Sequence, residues 1–195
     1  MKIGVLALQG AVREHIRLLQ QTGATAVAVK RAEELSDLDG LVIPGGESTT
    51  IGKLVKKYEL TEPILALHRA GKPIFGTCAG MILIAKNIGP EEEPHLGIMD
   101  ITVKRNGFGR QRESFEAELA VKNIADDYPA VFIRAPYIEK VEPGVEVLAE
   151  VDGKIVAAKQ GNLLAMSFHP ELTEDPRVHA YFAEMVRESM AEKAV

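Results

Sequence analysis

The sequence predicts an α/β fold: a three-layer, open, mostly parallel sheet covered by helices, with a strand-rich second half. Three observations predict it. Up to about residue 87, short apolar runs alternate with helical patterns, the order that builds parallel βαβ units. Beyond it, extended runs follow one another with few helical patterns between them. The composition, 195 residues with 46% hydrophobic and 26% charged, suits one globular domain spanning 1–195 with its own core.

The elements follow in order. Residues 3–8 (IGVLAL) read as a buried strand. Val12, Ile16 and Leu19 recur at helical spacing, and Gly23 stops that helix. Residues 26–29 and 41–43 are the next strands, the second ended by Pro44-Gly45-Gly46. A helix starts near Ser48 or Thr49 with Leu54 and Val55 inward, and residues 63–70 form another. Residues 72–76 are a fourth strand, and a helix opens over 81–85. In the second half, 98–103, 117–121, 130–134, 145–151, 154–158 and 163–168 read as extended. Asp152-Gly153 between two of these is a hairpin signal. A last helix begins at Asp175-Pro176, a cap followed by a proline, with Val178, Phe182, Met185 and Met190 as its apolar stripe.

Composition also excludes. A single cysteine makes no intramolecular disulfide and fits a reducing compartment. A formal net charge of −5 argues against a nucleic-acid partner, which calls for a basic stripe. The N-terminal apolar run is cut short by Arg13 and Glu14, so it is no secretory signal. No window approaches the roughly 20 apolar residues that span a bilayer. A soluble cytoplasmic protein is expected.

The strongest local signal is Gly76-Thr77-Cys78-Ala79-Gly80, set between an apolar strand and a helical pattern. That is the context of a nucleophile elbow with Cys in place of Ser. Glycines two residues either side leave room for the crowded turn. The sulfur would sit at a helix N-terminus, where the dipole favours a thiolate, and the Ala79 N–H would face an oxyanion. A buried structural cysteine is the competing reading.

A thiolate nucleophile needs a base, and the base an orienter. His15 and His68 lie in helical patterns and read as surface or packing residues; His95 lies in a loop and His179 in the last helix. His169 differs, because it follows an apolar strand and precedes Pro170-Glu171. In an extended segment His169 and Glu171 face the same way, so Glu171 can hold the imidazole. A bland loop is the alternative. The third junction, Pro44-Gly45-Gly46-Glu47-Ser48-Thr49, lets backbone approach a ligand and offers an N–H to an oxyanion hole; a simple turn is its alternative. It is a poor phosphate loop, because Leu54 stands where Ser or Thr is required. Gly4 and Gly10 lack dinucleotide spacing, and no Cys/His cluster has metal spacing, so no catalytic metal is expected.

Together, PGGES at 44–48, GTCAG at 76–80 and FHPE at 168–171 resemble the class I (triad) glutamine amidotransferases. GVLALQG at 4–10, Arg105-Asn106 with FGRQ at 108–111, SFE at 114–116, FIRAP at 132–136 and SFHPELT at 167–173 resemble, more narrowly, the glutaminase subunits of pyridoxal 5′-phosphate synthases. The resemblance spans nearly the whole chain, and the length suits a subunit with no fused synthase domain. Gly107 departs from it, standing where a Ser or Ala is expected.

The resemblance implies a class I glutaminase, flavodoxin-like fold. It implies Cys78 as nucleophile, His169 as general base and acid, and Glu171 as its orienter. The oxyanion would rest on Gly46 and Ala79, and glutamine on Gly46, Glu47, Ser48, Arg105, Ile133 and Arg134. It implies no cofactor. The partner would be a synthase subunit that makes pyridoxal 5′-phosphate from ribose 5-phosphate, glyceraldehyde 3-phosphate and the released ammonia. Docking would switch the glutaminase on by a peptide flip at Gly45-Gly46. The alternatives are another cysteine-elbow hydrolase, such as a peptidase or deglycase, and a non-catalytic regulatory or redox-sensing subunit.

Overall fold

The computed structural model describes residues 1–109 and 113–194. Arg110 and Gln111 of the quoted FGRQ motif therefore lie outside the described residues. In chain order the first half forms β1 (Lys2–Leu6), α1 (Val12–Gln21), β2 (Thr25–Val29), β3 (Gly40–Ile43), α2 (Ser48–Lys57), α3 (Thr61–Arg69), β4 (Ile74–Thr77) and α4 (Ala79–Ile84). The second half forms β5 (Ala85–Asn87), β6 (Met99–Lys104), β7 (Ser114–Val121), β8 (Ala125–Ile133), β9 (Tyr137–Val141), β10 (Glu146–Val151), β11 (Lys154–Gln160) and β12 (Leu163–Met166), then α5 (Arg177–Lys193).

One mixed sheet has the order β2-β1-β3-β4-β12-β11-β9-β6-β5, with β10 paired to β11; β7 and β8 form a separate antiparallel pair. The stretch β2-β1-β3-β4-β12 is parallel throughout. From β12 onward through β11, β9 and β6 the pairing is antiparallel. The parallel strands are buried on both faces, so they appear in sequence as continuous apolar runs. Successive side chains then serve two cores. Leu41, Ile43, Ile74, Leu163 and Ala165 point to one core, shared with Ile51, Val55, Ile64 and Leu67 of α2 and α3. Val42, Phe75, Leu164 and Met166 point to the other, under Leu19 of α1, Phe182 and Val186 of α5, and the β7–β8 pair.

Several boundaries differ from expectation for identifiable reasons. Strand β1 ends at Leu6, because the chain turns through Gln9 and Gly10 toward α1. Leu54 is only half-buried; Ile51 and Val55 carry the inward face of α2. Helix α4 starts at Ala79 and stops at Ile84, where Ala85 is extended and the N–H groups of Leu96 and Ile98 bind the carbonyls of Leu83 and Ile84. Strands β5 and β9 were not anticipated. Strand β12 ends at Met166; beyond it the Ser167 N–H still binds the Val156 carbonyl of β11, but the His169 N–H binds the Val131 carbonyl of β8, outside this sheet. Helix α5 starts at Arg177, with Pro176 and not Asp175 at its cap position; the Asp175 carboxylate still accepts from the Arg177 N–H at 3.0 Å. Met190 is 38% exposed, and the last buried turn belongs to Ser189, which donates to the Gly71 carbonyl. Asp152 and Gly153 both have positive φ, 51° and 75°, as a two-residue hairpin turn requires.

Candidate active site

The site is assembled by strand order. β4 lies between β3 and β12, both parallel to it, so three chain segments leave the sheet at the same C-terminal edge. These are the loop from Pro44, the turn at Cys78 and the segment at His169. Backbone bonds tie them down: the Cys78 N–H donates to the Met166 carbonyl at 2.8 Å, and the His169 N–H to the Val131 carbonyl at 2.8 Å.

Cys78 has φ 53° and ψ −110°, a strained conformation for a side-chain-bearing residue that costs on the order of 1–3 kcal/mol. Its neighbours explain why the turn closes. A Cβ on Gly80 would run into the carbonyl of Ile43, and one on Gly76 into the backbone of Gly80. The glycines are therefore required by packing against β3 and within the elbow itself. Gly45 presses on the same spot: a Cβ there would stand 2.8 Å from His169 Cε1 and 3.4 Å from Cys78 Cβ.

His169 and Glu171 do meet, but not through an extended segment. Pro170–Leu172 is a 3₁₀ turn with His169 as its cap, and this turn brings the side chains together. The His169 Nδ1–H donates to Glu171 Oε2 at 2.9 Å, with His169 13% and Glu171 1% exposed. Burial opposes a charge on His169, but hydrogen bonds with Cys78 and Glu171, and their charges, outweigh it and push its pKa up to about 10. An imidazolium beside the sulfur is the arrangement that supports a thiolate.

A cleft of about 420 Å³ opens over Cys78. Gly46, Glu47, Ser48, Ala79, Arg105 and Arg134 all line it. Ile133 does not; its side chain is 37% exposed, and it approaches the site through its carbonyl, 4.0 Å from Cys78 Sγ. Glu47 contributes differently from a substrate-binding carboxylate. It caps α2, accepting from the N–H groups of Thr49 and Thr50 and the Thr50 hydroxyl, and the Thr50 bonds foremost hold its pKa near about 2. Its own N–H donates to Gln9 Oε1 at 2.9 Å, which ties the Gly46–Glu47 peptide to the loop after β1. Arg105 donates to Ser48 Oγ at 3.1 Å and to both Glu92 oxygens at 2.6 Å. Its buried Nη2 has no hydrogen-bond partner among the described residues. A guanidinium nitrogen left free at a cleft wall suits a carboxylate ligand.

Sequence reasoning missed Ile82, Asn106 and Pro136, which also line the cleft, and Glu92, which braces Arg105. It also missed what lies behind Glu171. His15 is fully buried there and shares a hydrogen bond with His179. No motif could have found that pair, because 164 residues separate its members. At the departing position Gly107, the Tyr137 ring occupies the place a Cβ would take. Among the described residues, no group of three or more His, Cys, Asp or Glu side chains could hold a metal ion.

The curled α/β sheet, with a cysteine turn between its parallel strand and helix, has the fold of class I glutamine amidotransferases. A crystal structure of a glutamine amidotransferase matches it with a TM-score of 0.89 at 49% identity, covering 95% of this chain and 98% of that one. The chain belongs to the SNO glutamine amidotransferase family, whose family model matches residues 5–188. It is 62% identical over 189 residues to the pyridoxal 5′-phosphate synthase subunit PdxT of Niallia circulans, covering 97% of this chain and 100% of that protein. The subunit of the same name from Brevibacillus brevis is 63% identical over 188 residues, 96% of this chain and 98% of that protein.

Proposed function

We propose that this chain is the glutaminase subunit of a cytoplasmic pyridoxal 5′-phosphate synthase, acting as one domain over 1–195. It hydrolyses L-glutamine to glutamate and ammonia and passes the ammonia to a synthase subunit. That partner joins it to ribose 5-phosphate and glyceraldehyde 3-phosphate. The relatives' shared name supports the acceptor, and the cleft supports the donor chemistry. The observation that carries the reading is the pairing of β12 with β4, which sets His169 and Glu171 beside Cys78 under a cleft walled by Arg105.

In this mechanism the Cys78 thiolate attacks the side-chain amide carbon of glutamine, and the C=O electron pair moves to oxygen. The N–H groups of Gly46 and Ala79 receive that oxyanion. The His169 imidazolium gives its proton to the departing nitrogen, the C–N bond breaks and ammonia leaves a glutamyl thioester. Neutral His169 then takes a proton from water, whose oxygen attacks the thioester and releases glutamate and the thiol. Glu171 keeps the imidazole in the tautomer and plane that both steps need. Arg105 and Arg134 hold the substrate carboxylate, with Ser48 and Glu47 completing the wall and Ile133 offering its backbone carbonyl beside Cys78. Docking of the partner reorients the Gly45–Gly46 peptide, and one unchanged orientation there with and without the partner would remove that part.

The test is glutamate release with and without the synthase subunit. Cys78→Ala and His169→Ala abolish turnover, and Glu171→Gln lowers it. Turnover surviving Cys78→Ala would reject the assignment.

A further inference from the structure

The reaction above leaves a buried pair of histidines unused. His15, from α1, and His179, from α5, are both fully buried, with Nδ1 of His15 2.8 Å from Nε2 of His179. Nε2 of His15 lies 3.5 Å from the Thr77 hydroxyl, one residue before the nucleophile, and 3.7 Å from Glu171 Oε1. That Oε1 is itself buried and has no hydrogen-bond partner among the described residues, as does His179 Nδ1. Only the other oxygen of Glu171 is engaged by His169.

Only one tautomer order satisfies these contacts. Burial foremost, with His179 and His169 close by, holds the His15 pKa well below the usual value, and burial holds His179 near about 3, so both rings are neutral. Each then has one N–H and one lone pair. If His15 carried its proton on Nδ1, its Nε2 lone pair would face the Glu171 carboxylate. His179 would then be left with a buried, unpaired Nδ1–H. In the other order His179 Nε2–H donates to His15 Nδ1, and His15 Nε2–H points at Thr77 and Glu171. The unpartnered His179 Nδ1 is then a lone pair, a lesser fault than an orphaned N–H.

We propose that His15 is a positioning residue for the triad. Its Nε2–H holds Glu171 Oε1 from the interior, while His179 sets the tautomer of His15. Glu171 is thus gripped on both oxygens, by His169 from the cleft side and by His15 from behind. The charged and titratable groups facing this carboxylate are His169 from its own turn, His15 from α1 and Tyr128 from β8; His179 from α5 faces His15. The grip fixes the plane of the carboxylate and with it the aim of the His169 ring. A hydrogen bond of this kind is long in a resting site and tightens when charge develops on the histidine. The proposal rests on Cys78, His169 and Glu171 acting as the triad.

Two experiments test it. In the ¹⁵N-labelled protein at neutral pH, ring ¹⁵N shifts report the tautomer directly. Nε2–H on both His15 and His179 is expected, and Nδ1–H on His15 overturns the proposal. In the complex with its synthase subunit, His15→Leu is expected to lower kcat for glutamate release about 10- to 100-fold, the usual effect of removing a group that orients a site residue. KM stays within about twofold, because no substrate contact changes. His15→Gln places its amide N–H near Nε2 and retains most of kcat. His15→Asn reaches only the Nδ1 position and does not. Equal kcat for Gln and Asn overturns the proposal even if the Leu variant fails to fold. Cys78→Ala separates the two readings. If it stays active the triad itself fails; if it is dead while folded His15→Leu keeps wild-type kcat, only the positioning role fails.

Discussion

Glu171 stands between two histidine environments that differ in almost everything but the ring. On the cleft side, His169 sits on an irregular turn between Cys78 and Glu171, and its pKa is pushed up to about 10 against the pull of burial. On the interior side, His15 and His179 sit on regular helices and bond to each other at 2.8 Å, with the Glu171 carboxylate no nearer to His15 than 3.7 Å, and burial holds both uncharged. Burial is common to both, so burial alone does not decide the charge. The difference lies in which partners come with it: a thiol and a carboxylate at hydrogen-bond range on one side, another imidazole on the other. The cleft side also holds the backbone strain, at Cys78, while the interior is supported by two ordinary helices.

The largest way to break the cleft side without touching a titrating group is Gly80→Ala. The new Cβ meets the carbonyls of Ile43 and Pro44, backbone that cannot step aside cheaply. Overpacking of this kind costs about 3 kcal/mol. Thermal unfolding should show a Tm roughly 10 °C lower. Gly45→Ala is milder for stability and selective for chemistry. Its Cβ crowds His169 Cε1, the flexible side of the contact, and leaves His15 and His179 alone. A misaimed ring is expected to lower kcat about 100-fold with Tm nearly unchanged. Wild-type kcat in that variant would mean that the aim of His169 tolerates displacement.

The parallel half of the fold and the elbow were legible because both are local. Apolar runs such as 41–43 and 74–76 are buried on two faces, and Gly76 and Gly80 are demanded by contacts that the turn itself creates. The antiparallel half was read less well. Strand β9 exists because β6 and β11 flank it, which no local pattern encodes. His169 and Glu171 were paired correctly from their spacing, yet a 3₁₀ turn and not an extended strand makes the pairing. Glu47 showed only that its residue type sits at the loop; its use as the α2 cap emerges from the helix that follows. Arg105 owes its place to Glu92 and Ser48, 13 and 57 residues away. The interior histidines are the extreme case, joined across nearly the length of the chain.

Arg105 offers a change that leaves both histidine environments intact. Ser48 and Glu92 take its Nε and Nη1, and its buried Nη2 has no hydrogen-bond partner among the described residues. Arg105→Lys keeps the charge but loses the fork, so it cannot brace on Glu92 and bind a carboxylate at once. KM for glutamine is expected to rise about tenfold, with kcat changed much less. A fall in kcat at constant KM would move Arg105 from binding to the reaction itself.

The smallest effect is also the most direct reading of the contrast, because the two sides should mark opposite limbs of the stability–pH curve. His169 has a raised folded pKa. The stability it contributes is fully present below its unfolded value near 6.5 and is lost as pH climbs toward about 10. His15 and His179 have lowered folded pKa values, so below about 6.5 the unfolded chain takes up protons that the folded one refuses. Stability then falls as pH drops, and the half-buried His68 and His95, shifted the same way, add to that limb. Between roughly pH 6.5 and 5 the ordinary carboxylates stay ionised in both states, so the histidines dominate the slope. His179→Phe should make the acid limb shallower by up to about 1.4 kcal/mol per pH unit and leave the alkaline limb unchanged. Cys78→Ala should do the reverse, shortening the alkaline limb by removing one of the groups that hold the proton on His169. Urea titrations at a series of pH values read both. A variant that moved both limbs together would mean that the two environments communicate through Glu171 as a single titrating unit.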